Sequence, residues 1–347
     1  MNPGASVPLN PYRHEPVMLP QVMRFLAVRP GDVVADVTAG GGGHLRALAR
    51  SVGAGGRVLA LDRDPRALQQ DAAGGVAREF ADRVILRHAA FAELPALLRV
   101  EKLPKLDGLL CDLGVSSPQL DCPERGFALR QDGPLDMRMD PSRGITAYQW
   151  LARCGERELA DCLFHYGQER RSRRVARAIV HARPLPDSTR ALADLIARAV
   201  GGRRGRIHPA TRSFQALRMV VNDELGQLAR LLEALPHVLA PGGRAVFIAF
   251  HSLEDGMIKR ALREGARRFA VWSLETALAC DGSTSQVRRS QSGVKPPRTK
   301  GFAPRFPAWE LLCRKPRRPE HEEVQCNPRC RSARLRAIRM VERPADF

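Results

Sequence analysis

Four groups of residues have types and spacings that could act together. The first is Asp36-Val-Thr-Ala-Gly40-Gly41-Gly42-Gly43-His44, where a short apolar run ends in four glycines. Glycines at a strand-to-helix turn let the chain tighten and let its backbone approach a ligand. The run lacks the Lys-Ser/Thr ending of a phosphate-binding nucleotide loop. Taken alone, it suits either a dinucleotide or S-adenosylmethionine. Asp36 is placed to orient the methionine part of the latter, through its amine or through water. The second group is Asp62, which ends the next apolar run. A carboxylate there can accept both ribose hydroxyls of an adenosine, a demand both cofactors share; a solvated turn aspartate is the plain alternative. The third is Phe91, placed to cover an adenine face or simply to pack in the core. The fourth is Asp112-Leu-Gly-Val-Ser-Ser117-Pro118-Gln119-Leu-Asp121. The exocyclic amine of a base is a poor nucleophile, because its lone pair is delocalised into the ring. Acceptors can hold its N–H groups and align the attack, while a cofactor carries the reactive methyl. Asp112 is the best catalytic acceptor, followed by Ser117 and the carbonyl of Pro118. The acid-Pro-Pro-aromatic form common in amino methyltransferases is absent.

Each group needs a rigid element to hold it. Apolar runs at 33–37, 57–61, 83–87 and 106–111 read as strands, separated by helical stretches such as 44–51 and 65–80. Strands alternating with helices imply a parallel sheet with right-handed crossovers. The pattern resumes with a helix at 222–239, a Pro241-Gly-Gly turn, a strand at 244–250 and a last strand at 309–313. Between 118 and 211 the strand pattern is missing; 156–181 reads as one long amphipathic helix and 188–200 as a second. The expected fold is α/β, a Rossmann-like class I methyltransferase sheet with an inserted helical domain. Its parts are a core at 1–117, a helical substrate-recognition domain at 118–211, a second core part at 212–313, and a basic C-terminal segment at 314–347. A polar, basic stretch near 280–300 reads as mobile.

The substrate side offers less definite candidates. The run from Gly126 to Asp140 alternates charges with methionines, and Asp136 and Arg138 could order that loop or touch a target nucleotide. His251 opens the His-Ser-Leu-Glu-Asp run after the late strand; it could bind substrate or make a structural hydrogen bond. Arg170, Arg171, Arg173 and Arg174 could grip phosphates or form a solvated helix face. The formal charge is +19, and residues 283–347 carry 16 basic against 6 acidic side chains. A surplus clustered in this way favours a polyanionic partner such as RNA. The 8 cysteines contain no Cys-x-x-Cys pair. Cys326 and Cys330 could supply only two metal ligands, so no metal is expected. No apolar run is long enough to span a bilayer, and the N-terminus lacks a signal-peptide pattern. A cytoplasmic protein with no membrane association is the expectation.

At these motifs the chain closely resembles the bacterial small-subunit ribosomal RNA cytosine-N4 methyltransferases. The resemblance runs from His14-Glu-Pro-Val-Met-Leu19 nearly to the C-terminus. Its distinctive pieces are the Asp112–Asp121 and Arg125–Asp140 blocks, Tyr166-Gly-Gln-Glu-Arg170, His208-Pro-Ala-Thr-Arg212, Phe214-Gln-Ala216, the Phe250–Asp255 block, and Asn327-Pro-Arg with Ser332-Ala-Arg-Leu-Arg336. The resemblance implies S-adenosylmethionine-dependent N4-methylation of a cytidine in the ribosomal decoding centre near the P site. In the family that cytidine also receives a 2′-O-methyl from another enzyme. The cofactor residues carry over as Gly42, Gly43, His44, Asp62, Phe91, Asp112 and Gln119, beside the Asp36 and Gly40 already singled out. The implied partner is small-subunit ribosomal RNA within the subunit, and a homodimer is compatible. No general base is securely assigned in the family. This chain departs from the usual pattern at Gln168, Gly256 and Cys330, and 263–300 aligns poorly. A non-catalytic ribosome-assembly RNA-binding factor would not need the cofactor groups. A DNA amino methyltransferase would more often carry the acid-Pro-Pro-aromatic motif. An NAD-dependent dehydrogenase explains the glycines and Asp62, but not the basic surplus or the Ser116-Ser117-Pro118 site.

Overall fold

Strands buried on both faces need apolar residues at successive positions, and the early runs supply them. In the computed structural model they form β1 (Val33–Asp36), β2 (Arg57–Asp62), β3 (Val84–His88) and β4 (Leu106–Asp112). The later strands are β5 (Leu239–Ala249), β6 (Trp309–Leu311) and β7 (Arg334–Met340). The structure describes residues 16–69, 72–129, 131–202, 208–280 and 309–341, with 117, 118 and 268–280 as backbone only. The sheet order is β3-β2-β1-β4-β5-β7-β6. Strands β1 to β5 are parallel, and β7 runs against both β5 and β6. This is a class I methyltransferase-like sheet. Its strand order reverses between β1 and β4, and open α/β sheets bind ligands in the crevice beyond that point.

Successive side chains of a strand point to opposite faces, so the sheet feeds two cores. On one face, Val34, Val58, Ala60 and Leu110 pack with α1 (Leu19–Leu26), α2 (Gly43–Val52) and α3 (Ala73–Glu79). On the other, Ala35, Leu59, Leu61, Leu109 and Phe247 pack with α4 (Leu94–Val100), α11 (Glu224–Val238) and α12 (Ser252–Cys280). Between β4 and β5 lie α5 (Ser117–Asp121), α6 (Ala147–Arg153), α7 (Glu156–His165), α8 (Ser172–His181), α9 (Thr189–Ala199) and α10 (Thr211–Val221). This helical insertion has its own core, including Leu151, Leu163, Val175, Ile179 and Ile196.

Several elements differ from the sequence reading. The expected helix at 156–181 is two, because the chain turns at Gly167 and Gln168. Gln168 has φ 52, and a Cβ at position 167 would stand 2.5 Å from the Arg212 carbonyl oxygen. The expected helix at 65–80 is a 3-10 turn over Pro65–Leu68, capped by Asp64, followed separately by α3. Helix α10, placed by the sequence beyond the insertion, sends Phe214, Ala216 and Leu217 into the helical core. The basic C-terminal segment contributes β7, and the short helix α13 (His321–Cys326) precedes it. Arginines at 334, 336 and 339 hide that strand in the sequence, yet the Arg336 guanidinium is buried on Asp255 at 2.7 Å. The stretch expected to be mobile near 280–300 lies outside the described residues after Cys280. Among the described residues, no helix is long and apolar enough to cross a membrane.

Candidate active site

The carboxyl ends of β1, β2 and β4 carry Asp36, Asp62 and Asp112, so the sheet brings three of the expected carboxylates to one edge. Thr38, which the sequence reading passed over, links two of them. Its backbone N–H donates to Asp36 Oδ1 at 3.1 Å, and its hydroxyl oxygen accepts the Asp112 N–H at 2.7 Å. A hydroxyl between Asp36 and the glycines was the available signal.

The glycine loop is drawn onto β2. Gly40 N–H donates to Asp62 Oδ2 at 2.7 Å, and Asp62 Oδ1 accepts from the Asp64 N–H at 2.7 Å. Gly40 and Gly42 have φ 47 and 80, a left-handed region that suits glycine. A Cβ on Gly42 would also come within 2.8 Å of Val76 Cγ2. Gly43 starts α2, where a Cβ would stand 3.0 Å from the Pro16 ring. His44 is buried, with Nε2 3.0 Å from the Val17 carbonyl and Nδ1 3.7 Å from Asp112 Oδ2. Phe91 is half-buried beside the core packed with α4.

The carboxylates lie in an unusual electrostatic setting. Burial is the main cause that pushes Asp36 up to about 7, helped by the charge of Asp62 and opposed by Thr38. Burial likewise pushes Asp62 up to about 6, against the hydrogen bonds from Asp64 and Gly40. Asp112 is held well above the usual carboxylate range, by burial first and then by the charges of Asp36 and Glu254. Among the described residues, Asp36 Oδ2 and Asp112 Oδ1 are buried with no hydrogen-bond partner. Buried polar atoms nearly always have partners. The orphaned Asp36 acceptor beside a glycine cradle suits a cationic ligand, and the orphaned Asp112 acceptor suits an N–H group next to it. S-adenosylmethionine, a sulfonium with an α-ammonium group and a ribose, fits this donor and acceptor set.

The structure places the remaining candidates differently. Both ends of the Gln119 amide are committed: Nε2 donates to Asp64 Oδ2 at 2.8 Å, and Oε1 accepts from the Ser116 N–H at 3.0 Å. Gln119 therefore ties the start of α5 to the Asp64 turn. Asp64 also receives the buried Arg125 at 2.7 Å, whose other nitrogen reaches the carbonyls of Arg138 and Met139. Asp136 and Arg138 bond each other, Nε to Oδ1 at 2.7 Å and Nη2 to Oδ2 at 2.9 Å, so they order their loop. Asn222 anchors that loop by accepting from Met139 N–H and donating to Met137 O, each at 2.7 Å. Neither Arg125 nor Asn222 was singled out, because their partners lie far away in sequence. Arg170 and Arg174 are exposed on the helical insertion. For Ser117 and Pro118, the structure gives only their place in α5.

His251 lies beyond β5, with Nε2 2.9 Å from Glu254 Oε1. Glu254 also accepts the Phe250 N–H at 3.1 Å. Ligand atoms of Glu224, His251 and Glu254 converge within 4.8 Å of one another. Arg218 already neutralises Glu224 through two 2.7 Å bonds, so the group reads as an ion-pair cluster joining the insertion to the sheet. A cavity of about 320 Å³, lined by residues including Leu185, Leu192 and Arg198, lies in the insertion and contains none of these groups.

Comparison with known proteins agrees with this geometry. Residues 11–341 match the MraW methylase family. A ribosomal RNA small subunit methyltransferase H from Acidobacterium capsulatum is 44% identical over 330 residues, covering 94% of this chain and 97% of the relative. The protein of the same name from Methylibium petroleiphilum is 43% identical, covering 99% and 98%. That from Thioalkalivibrio sulfidiphilus is 51% identical over 259 residues, covering 73% and 81%.

Proposed function

The chain belongs to the MraW methylase family, and we infer that it transfers a methyl group from S-adenosylmethionine to the exocyclic N4 of a cytidine in the decoding centre of small-subunit ribosomal RNA. The observation that carries this reading is Asp112. Its carboxylate ends β4 at the switch point, one oxygen has no partner among the described residues, and the glycine loop lies on the adjacent strand. When bound, S-adenosylmethionine supplies an electrophilic methyl on sulfur. Asp36 and the loop from Gly40 to His44 would hold its amino-acid end, Asp62 would accept its ribose hydroxyls, and Phe91 would cover its adenine.

Asp112 Oδ1 accepts an N4–H and fixes the direction of the amine. Its surroundings make it more basic than an ordinary carboxylate. Asp112, or water beside it, would take the proton that the nitrogen loses on methylation. Ser117 and Pro118 follow Asp112 by five and six residues, at the start of α5. The loop ordered by Asp136 and Arg138, with His251, bounds the target base. The exposed Arg170 and Arg174 hold RNA phosphates. Flipping is least costly for single-stranded or loop RNA, which suits a decoding-centre cytidine. The ribosomal substrate implies action in the cytoplasm, inside or beside the assembling small subunit.

The test incubates the protein with methyl-labelled S-adenosylmethionine and small subunits lacking this modification, followed by digestion to nucleosides. Label in N4-methylcytidine is expected. Cofactor binding without label in any nucleoside would overturn the reading in favour of a non-catalytic assembly factor.

A further inference from the structure

A second part of this edge bears a dense positive surface. Arg314, Lys315, Arg317 and Arg318 follow β6, and all four are exposed. Among the described residues, no carboxylate pairs with any of them. The nearest acids in sequence are Glu310, which accepts from Arg339 at 2.8 Å, and Glu320, Glu322 and Glu323 beyond Pro319, of which Glu323 accepts the Met18 N–H at 2.6 Å.

The turn is fastened to the sheet. Arg317 N–H donates to Leu335 O and Leu335 N–H to Arg317 O, both at 2.9 Å. The strand registers then locate it. Asp112 pairs with Ile248, Ile248 with Leu335, and Leu335 with Arg317. These four residues form one row across the sheet. Three strand spacings of ~4.8 Å put the Arg317 backbone about 14 Å from Asp112. That is a reach of a few nucleotides along a strand whose target base sits at Asp112. The intervening rim is braced by ion pairs: Arg329 donates to Asp121 at 2.6 Å, and Asp255 takes Arg334 and Arg336 at 3.0 and 2.7 Å. Phosphates need cations that are free of internal partners and held at fixed spacing. This turn supplies both.

We propose that Arg314, Lys315, Arg317 and Arg318 form a phosphate-docking surface for the RNA strand flanking the target cytidine. The proposal rests on the reading that the substrate is RNA. It makes the C-terminal positive charge part of the folded sheet edge, separate from the arginines of the helical insertion.

The test compares the unaltered chain with a variant carrying Arg314→Ala, Lys315→Ala, Arg317→Ala and Arg318→Ala. Binding is followed by fluorescence anisotropy over a salt series. One probe is a small-subunit ribosomal RNA fragment containing the target cytidine, and the other is poly(U). Each phosphate contact contributes about 0.7 to the salt slope for single strands, so the slope should become shallower by about 2–3. Affinity at low salt should fall about tenfold or more, to the same degree for both RNAs. S-adenosylmethionine affinity, measured by calorimetry, should not change. A companion variant with lysine at 314, 317 and 318 should keep most of the slope. An unchanged slope and affinity in the alanine variant overturn the proposal while leaving the methyltransferase reading intact. No RNA binding by the unaltered chain overturns the proposal, while the methyltransferase reading stands or falls on label transfer to small subunits.

Discussion

The cofactor side and the substrate side of this sheet edge are built in different ways. On the cofactor side, the bonds are short in sequence or join adjacent strands. Thr38 serves Asp36, Gly40 serves Asp62, and the loop from Asp36 to His44 makes most of the cradle. On the substrate side, distant segments hold one another: Arg125 reaches Asp64, Asn222 holds Met137 and Met139, and Arg329 reaches Asp121. The difference teaches that a site for a small cofactor can be assembled by successive strand ends. A surface for a folded RNA needs elements collected from the whole chain. Damage to the two sides should therefore separate in measurement.

The largest expected effect is on the substrate side. Arg125→Ala leaves buried Asp64 without its cation and two loop carbonyls without a donor. Breaking such a pair costs about 3–5 kcal/mol, read as a fall in the denaturant midpoint. Methyl transfer to RNA should fall further than cofactor affinity in the fraction that remains folded. Arg125→Lys should recover only part, because an ammonium lacks the planar fork that serves Asp64 and both carbonyls together. Equal losses of cofactor affinity and transfer would break the separation.

On the cofactor side, Gly42→Ala forces a side chain into a left-handed conformation and against Val76 Cγ2. A cost of about 1–3 kcal/mol is expected. Calorimetry should show weaker S-adenosylmethionine binding, while RNA affinity by anisotropy stays within about twofold.

The pH dependence sharpens the same contrast. The Asp36 carboxyl titrates near 3.8 when unfolded and at about 7 when folded. Between those values the native chain holds the extra proton, so ligand-free stability falls as pH rises through that window. Asp36→Asn should flatten that fall and raise stability above about pH 7, while weakening cofactor binding. A cationic ligand favours the ionised carboxylates, so affinity for S-adenosylmethionine should rise with pH until about 7 and then level off. RNA affinity should follow no such curve. Thermal unfolding and calorimetric titration across pH read both quantities.

The smallest effect concerns the exposed arginines of the insertion. Arg170→Ala with Arg174→Ala should raise KM for RNA about two- to fivefold, with a shallower salt dependence. Stability and cofactor affinity should be unchanged.

The same contrast explains what could be read in advance. Asp36, Gly40, Gly42, Gly43, Asp62 and Asp112 were legible because each follows an apolar strand, and strand ends in such sheets gather at one edge. The sheet and its helical insertion were legible for the same reason. Strand β7 was not, because Arg334 and Arg336 interrupt its apolar pattern and their neutralising partner, Asp255, lies about eighty residues earlier. The break between α7 and α8 was hidden because Gln168 is an ordinary residue in an uncommon conformation. The bonds of the Gln119 amide to Asp64 and Ser116 were hidden as well, because only the folded chain brings the Asp64 turn beside α5. Arg125 and Asn222 give no local signal. Their importance comes from partners that only the folded chain brings within reach.

The central claim is that Asp112 faces the substrate amine, at the meeting point of the two sides. The most direct test pairs calorimetric titration of Asp112→Ala with S-adenosylmethionine and recovery of labelled N4-methylcytidine from the same preparation. Asp112 Oδ1 has no partner among the described residues, and the Thr38 hydroxyl bonds the backbone of residue 112, so the fold should survive. The account predicts methyl transfer reduced by on the order of 10²–10³, with cofactor affinity changed by no more than a few-fold. Loss of cofactor binding in proportion to activity, or transfer at the unaltered rate, would contradict it.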